Sequence, residues 1–204
     1  MNRILVIYAS AFGQTRAIAI RLAERLRLAG HAVELADVRG RPPAPEGYDA
    51  VVLGSRVQNG KHAAELVTYA QLHRELLALR PTAFFSVSMS AATPSMGPDP
   101  HAYIAKFVAT TGWTPGRRIA IAGGLPYRKF NPILRLVMKF MSWRGGHSTD
   151  TSRDHEYTDW AQVERFADDV ARDLATSLRS SSAQSTALPA TPIPTTTPGS
   201  SGTV

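Results

Sequence analysis

"YASAFGQTRAIAIRLAERL", from Tyr8 to Leu26, decides how the chain is read. It follows the apolar run "RILVI" and turns from a strand pattern to a helical one across a few small and hydroxyl residues. Ser10, Gly13 and Thr15 fill the turn, and Ile18, Leu22 and Leu26 then recur at helical spacing. A helix is therefore predicted over Gln14–Ala29. A loop of this kind at a helix N-terminus offers hydroxyls, unpaired amides and a partial positive charge, the chemistry of a phosphate cradle. The same residues would serve a capped turn that binds nothing, and the loop alone leaves both readings open. It matches neither GxGxxG nor GxxxxGK[ST], which weighs against dinucleotides and nucleoside triphosphates.

Working outward, short apolar runs alternate with helical ones. Strands are expected at Arg3–Ala9, Ala32–Asp37, Asp49–Gly54, Thr82–Ser88 and Arg117–Gly124. Several are apolar almost throughout, as strands covered on both faces are. Helices are expected at about Ala63–Leu79, Pro100–Thr111 and Asp159–Leu178, the last opened by Asp159 with Gln162 three residues on. The alternation predicts an α/β fold, a doubly wound five-stranded parallel sheet.

The chain has 204 residues and a formal net charge of +7. The stretch from Ser180 to Val204 has no charge and no aromatic residue, and it carries Pro189, Pro192, Pro194 and Pro198. It is expected to be a disordered tail on a domain spanning residues 1–179. There is no cysteine, so disulfides, thiolate metal sites and cysteine nucleophiles are excluded. His62, His73, His101, His147 and His155 lack the spacing of a metal site, and no metal is expected. Neither a signal-peptide pattern nor a bilayer-length apolar run is seen, so a cytoplasmic protein, soluble or peripheral on a membrane, is expected. The basic residues are dispersed and no nucleic-acid motif appears.

Ligands of open α/β sheets bind beyond the carboxyl ends of the strands. Two more loops are predicted at that edge, "GSRVQNG" (Gly54–Gly60) and "SVSMSAATPSMG" (Ser86–Gly97), both small and polar enough for a flat ring to approach the backbone. After the fifth strand comes a long insertion, residues 125–147, without one acidic residue. A helix is expected from Pro132, with Arg128, Arg135 and Lys139 on one face. Phe130, Ile133, Leu134, Val137, Phe140 and Met141 lie opposite. This is the pattern of a helix lying on an anionic membrane, or of an ordinary helix packed on the body.

The three loops resemble the flavodoxin arrangement and imply strand order 2-1-3-4-5. There, the first loop holds the phosphate of FMN and the other two flank its ring. Carried over, Ser10, Ala11, Phe12, Gly13, Gln14 and Thr15 are the phosphate candidates. Ser55, Arg56, Val57, Gln58, Asn59 and Gly60, with Ser86, Val87, Ser88 and Met89, are the ring candidates. Phe12 stands where flavodoxins usually have a hydroxyl, and the second and third loops lack a ring-stacking aromatic. Flavodoxins that carry electrons are typically acidic, and this chain is basic. "GQTRAIA", "FFSVS", "YIAKFVATTGWTP", "IAGGLPYRKF" and "GGHSTDTSRDHEYTDWAQV" resemble a narrower family, the flavodoxin-like, quinone-dependent protoporphyrinogen IX dehydrogenases of bacterial haem synthesis. That resemblance implies protoporphyrinogen IX as substrate, menaquinone or ubiquinone as acceptor, and a place on the cytoplasmic face of the inner membrane. Arg128, Lys129 and Tyr127 become substrate candidates, the apolar face of the insertion a membrane contact, and Asp150 and Thr151 part of the flavin region. A homo-oligomer is left open. The alternatives are a flavodoxin-like quinone reductase or electron carrier, and a flavin-free binding module on the same fold.

Overall fold

Strand β1 (Arg3–Ala9) lies at the centre of the fold, between β2 (Ala32–Asp37) and β3 (Ala50–Gln58), with all three parallel. The computed structural model describes residues 1–92, 98–125 and 155–186. Beyond β3 come β5 (Thr82–Ser88) and β6 (Arg117–Ala122), so the parallel order is β2-β1-β3-β5-β6. Counting only these five, the order is the expected 2-1-3-4-5. Two antiparallel pairings were not among the expected strands. β3 runs on past Gly54 to Gln58 and folds back antiparallel through the two-residue strand β4 (Lys61–His62). A second pair joins β7 (Gly124–Leu125) to β8 (His155–Glu156), also antiparallel.

Helix α1 (Gln14–Leu28) and the last helix, α5 (Trp160–Thr186), cover one face. Ile4, Val6, Ile18, Leu22, Leu26, Phe166, Val170 and Leu174 form the core between them and the sheet. Helices α2 (Ala64–Leu72) and α4 (Pro100–Thr111) cover the other face, over Leu5, Ile7, Leu53, Leu66, Phe84 and Phe107. Alternation along each strand assigns odd and even residues to opposite cores, as a sheet buried on both faces requires. Trp113 closes the second core, edge-on to Phe84 and Phe107.

The helix expected over Ala63–Leu79 is two helices, α2 and α3 (Arg74–Ala78), broken at His73, whose φ/ψ of −107°/14° serves as the end of one and the cap of the other. α5 starts where expected, with Asp159 Oδ1 accepting from the Gln162 amide at 3.1 Å. It continues to Thr186, past the boundary expected at residue 179, because the added residues include no proline before Pro189. Residues 187–204, and the insertion from residue 126 to residue 154, lie outside the described residues.

Candidate active site

The three loops converge because the strands before them are in register. Ala9 pairs with Ser55, Ser55 with Ser86, and Ser86 with Ala120, which forms one row across the sheet just below its carboxyl edge. Every strand of the row then ends at the same edge, where the chain departs into the segments that sequence composition singled out.

The first loop is held by its own serine. Ser10 Oγ accepts from the Gly13 amide at 3.1 Å, and Gly13 takes a left-handed conformation, φ 108°, that favours glycine. No side chain caps α1 and no acidic residue stands in its first turn, so the helix N-terminus keeps its partial positive charge. Ser10 and Thr15 are buried beside it, whereas Phe12 stands 38% exposed. Gln14 acts elsewhere as well. Its Nε2 donates to Thr158 Oγ1 at 2.8 Å, and that hydroxyl donates to the Ala122 carbonyl at 2.8 Å. The start of α1, the end of β6 and the approach to α5 are thus tied in one chain.

The second loop is a hairpin. Asn59 and Gly60 both have positive φ, 51° and 71°, as a two-residue type I′ turn demands. Ser55 Oγ is committed inside it, accepting from the Ala63 amide and donating to the Arg56 carbonyl, both at 3.1 Å. What Ser55 can offer a ligand is therefore backbone. Arg56 Nε reaches Gln58 Oε1 at 3.2 Å. A cavity of about 430 Å³ opens against Arg56, Gln58, Asn59 and His62. His62 Nε2 meets the Tyr103 carbonyl at 3.2 Å and its ring packs edge-on against Phe84 and Phe107. The carbonyl requires the proton on Nε2, and Nδ1 has no partner. Burial pushes the imidazole down to about 4, against a weaker upward pull from the Tyr103 and Arg56 carbonyls.

In the third loop, Ser88 Oγ meets Ser90 Oγ at 3.1 Å and accepts from the Ala91 amide at 3.3 Å, so hydroxyls shape the turn. The Gly123 amide donates to the Ser88 carbonyl at 3.0 Å and ties the loop to the end of β6. Ser86 is fully buried and its hydroxyl has no partner. Residues 93–97 of the loop, and the candidates Asp150, Thr151, Tyr127, Arg128, Lys129, Phe130, Ile133, Leu134, Val137, Phe140 and Met141, lie outside the described residues.

This edge fits a phosphorylated flat ring. The uncapped helix start and the Gly13 turn suit an anion. The buried, unpartnered Ser86 hydroxyl leaves hydrogen-bonding capacity at the strand beneath the third loop. Among the described residues no group of three or more His, Asp or Glu could hold a metal, and no helix is long and apolar enough to cross a membrane. Sequence reading missed Thr158, Ser90 and His62. Only the hairpin that carries His62 had a local signal, the Asn59-Gly60 pair.

Comparison with known proteins agrees with the fold and narrows the family. The profile of the flavodoxin domain matches residues 5–152. The chain is 34% identical over 169 residues to "Protoporphyrinogen IX dehydrogenase [quinone]" of Escherichia coli K12, a match covering 82% of this chain and 93% of that one. It is 31% identical over 172 residues to the Leishmania major protein of the same name, covering 82% of this chain and 74% of the other. Among solved structures, oxidised flavodoxin 1 from Bacillus cereus superposes with a TM-score of 0.52 at 15% identity, over 83% of this chain and 97% of that one. The rubredoxin:oxygen oxidoreductase of Desulfovibrio gigas gives a TM-score of 0.55 at 17% identity, over 87% of this chain and 37% of that one.

Proposed function

The chain belongs to the flavodoxin-like family of quinone-type protoporphyrinogen IX dehydrogenases, oxidoreductases that use FMN, and from that membership we propose that it oxidises protoporphyrinogen IX to protoporphyrin IX and delivers the electrons to a membrane quinone. Bound FMN supplies the hydride and electron chemistry. The chain's own residues bind, orient and exclude water. Ser10 to Thr15 hold the phosphate, with Gly13 turning the backbone and Ser10 fixing that turn. Ser55 to Gly60 and Ser86 to Met89 flank the ring, largely through backbone groups. No acid–base pair is assigned: burial lowers His62 to about 4 and leaves it a weak base at physiological pH.

Arg128, Lys129 and Tyr127 are proposed to contact the substrate, and Asp150 and Thr151 to border the cofactor. The apolar residues Phe130, Ile133, Leu134, Val137, Phe140 and Met141 meet the lipid, on the cytoplasmic face of the inner membrane, close to a menaquinone or ubiquinone. The acceptor and the place in haem synthesis rest on the names of the relatives.

One observation supports the reading most. Three loops meet at the carboxyl edge of a sheet, beside an uncapped helix start, in a chain that matches those relatives over 82% of its length. The test is steady-state and anaerobic: FMN-loaded protein with protoporphyrinogen IX, with and without a menaquinone analogue, followed by porphyrin fluorescence. Porphyrin formation that needs both FMN and quinone is expected. FMN binding with quinone reduction by another donor, but no porphyrin, would favour a general quinone reductase.

A further inference from the structure

The second loop opens onto more than the sheet edge. A cavity of about 340 Å³ lies between β4, α2 and α4, bounded by Lys61, His62, Val67, Tyr103, Lys106 and Phe107. The cavity beside Arg56 and Asn59 shares Lys61, His62 and Ala64 with it, so the two form one trough running from the hairpin into the groove between the helices. Its floor is fixed: His62 Nε2 bonds the Tyr103 carbonyl, linking β4 to α4, and the His62 and Phe107 rings meet at 5.2 Å. Its wall is apolar, from Val67, Phe107 and the Tyr103 ring, which comes within 4.0 Å of where a Gly60 Cβ would lie.

Its rim is cationic. Lys61 and Lys106 are exposed, and among the described residues neither takes part in an ion pair, nor does Arg56. Glu65 is the one carboxylate among the residues lining either cavity, and it lies within electrostatic reach of Arg39. An apolar groove with unmatched ammonium groups at its mouth selects a ligand that is flat and apolar in its body and anionic at its edge. A neutral quinone has the body but not the charge, and an inorganic anion the charge but not the body.

We propose that this trough binds the carboxylate-bearing edge of a tetrapyrrole, with Lys61 and Lys106 pairing with the carboxylates and Val67, Tyr103 and Phe107 covering the apolar body. The inference rests on the functional reading above and adds to it the place where the substrate's charged edge docks.

The probes are deuteroporphyrin IX and its dimethyl ester, which differ only in the carboxylates, titrated into FMN-loaded protein by porphyrin fluorescence. The free acid is expected to bind about tenfold or more tighter than the ester, the scale of a charge-assisted contact. Lys61→Glu and Lys106→Glu each weaken the free acid roughly tenfold, and the pair removes the preference. Lys61→Met with Lys106→Met keeps the test open if the reversals disturb the fold, and added salt on the unaltered protein weakens the acid but not the ester. Arg165→Glu, on the opposite face of the sheet, leaves both ligands unchanged. Equal binding of acid and ester, or an unaltered preference in the double variants, overturns the trough. If those variants also oxidise protoporphyrinogen with an unchanged KM, the trough falls and the function stands. If the unaltered protein oxidises no porphyrinogen but binds the acid through the two lysines, the function falls and the trough stands.

Discussion

Gln14 and Thr158, 144 positions apart in sequence, meet at 2.8 Å, and Thr158 passes the connection on to the Ala122 carbonyl at the end of β6. The residue that opens α1 is therefore braced by the segment that precedes α5. For a loop proposed to hold phosphate, amides already in place bind more tightly, since ordering them on binding would cost affinity. The brace supplies that order from outside the loop.

Thr158→Val removes the hydroxyl and keeps the shape. The expected cost is about 1 kcal/mol of stability, with FMN retained roughly fivefold less tightly. Thermal melts with and without FMN, and flavin fluorescence titration, check both. An unchanged FMN affinity would show the brace to be structural alone.

Gly54 pairs with Phe85 across β3 and β5, and the Phe85 ring occupies the space of a side chain at Gly54: a Cβ there would lie 1.9 Å from Cζ. Gly54→Ala is expected to destabilise by about 3 kcal/mol or more, from overpacking a full core. Adding Phe85→Leu should recover part of that loss, because the two changes share one volume. Denaturant midpoints of the two variants and their combination test the coupling.

His62 gives the fold a pH dependence. Its folded value is pushed down to about 4, below the unfolded 6.5, so the folded imidazole resists the proton that the unfolded chain accepts. Its contribution is complete above about 6.5 and is lost as pH falls from there toward 4, up to about 3 kcal/mol in all. His62→Phe, which keeps an aromatic ring against Phe84 and Phe107, should flatten that slope in chemical denaturation between those pH values. An NMR titration with His62 changing charge near its unfolded value would contradict the account.

α1 and α5 are stitched by Arg25 with Asp168, at 2.8 and 3.0 Å, and by Arg21 with Glu164. The Arg25 guanidinium holds the Asp168 carboxyl below its ordinary range. For a lowered carboxylate the stabilisation is present above its unfolded value and disappears as pH falls through the folded one. Both partners are substantially exposed, so the effect is small and screened by salt. Asp168→Asn should lower the melting temperature by a few degrees or less at neutral pH, and by nothing in acid or high salt. Melts across pH and ionic strength distinguish this from a loss of packing.

Much of this was legible in the sequence because it is local. β1, β2, β5 and α4 have the boundaries that their apolar runs and flanking residues imply. The break at His73 was not legible, since the apolar pattern of α2 runs smoothly into α3 and the interruption lies in backbone angles. The extension of β3 was half visible: Asn59-Gly60 specifies the turn, but polar Gln58 and Lys61 beside it read as loop. The Ser10–Thr15 loop could be singled out as a phosphate candidate from its own residues. The contacts that hold it could not, because Thr158 reaches Gln14 only after the sheet and both layers of helices are assembled.

The most direct measurement is a single turnover without oxygen. FMN-loaded protein is mixed with protoporphyrinogen IX, and the visible flavin band and porphyrin fluorescence are followed together. The flavin is expected to bleach first, because one FMN takes only about two of the roughly six electrons that the full conversion removes, and added menaquinone analogue is expected to restore the flavin repeatedly as porphyrin fluorescence rises. A flavin that keeps its colour in the presence of excess protoporphyrinogen would contradict it.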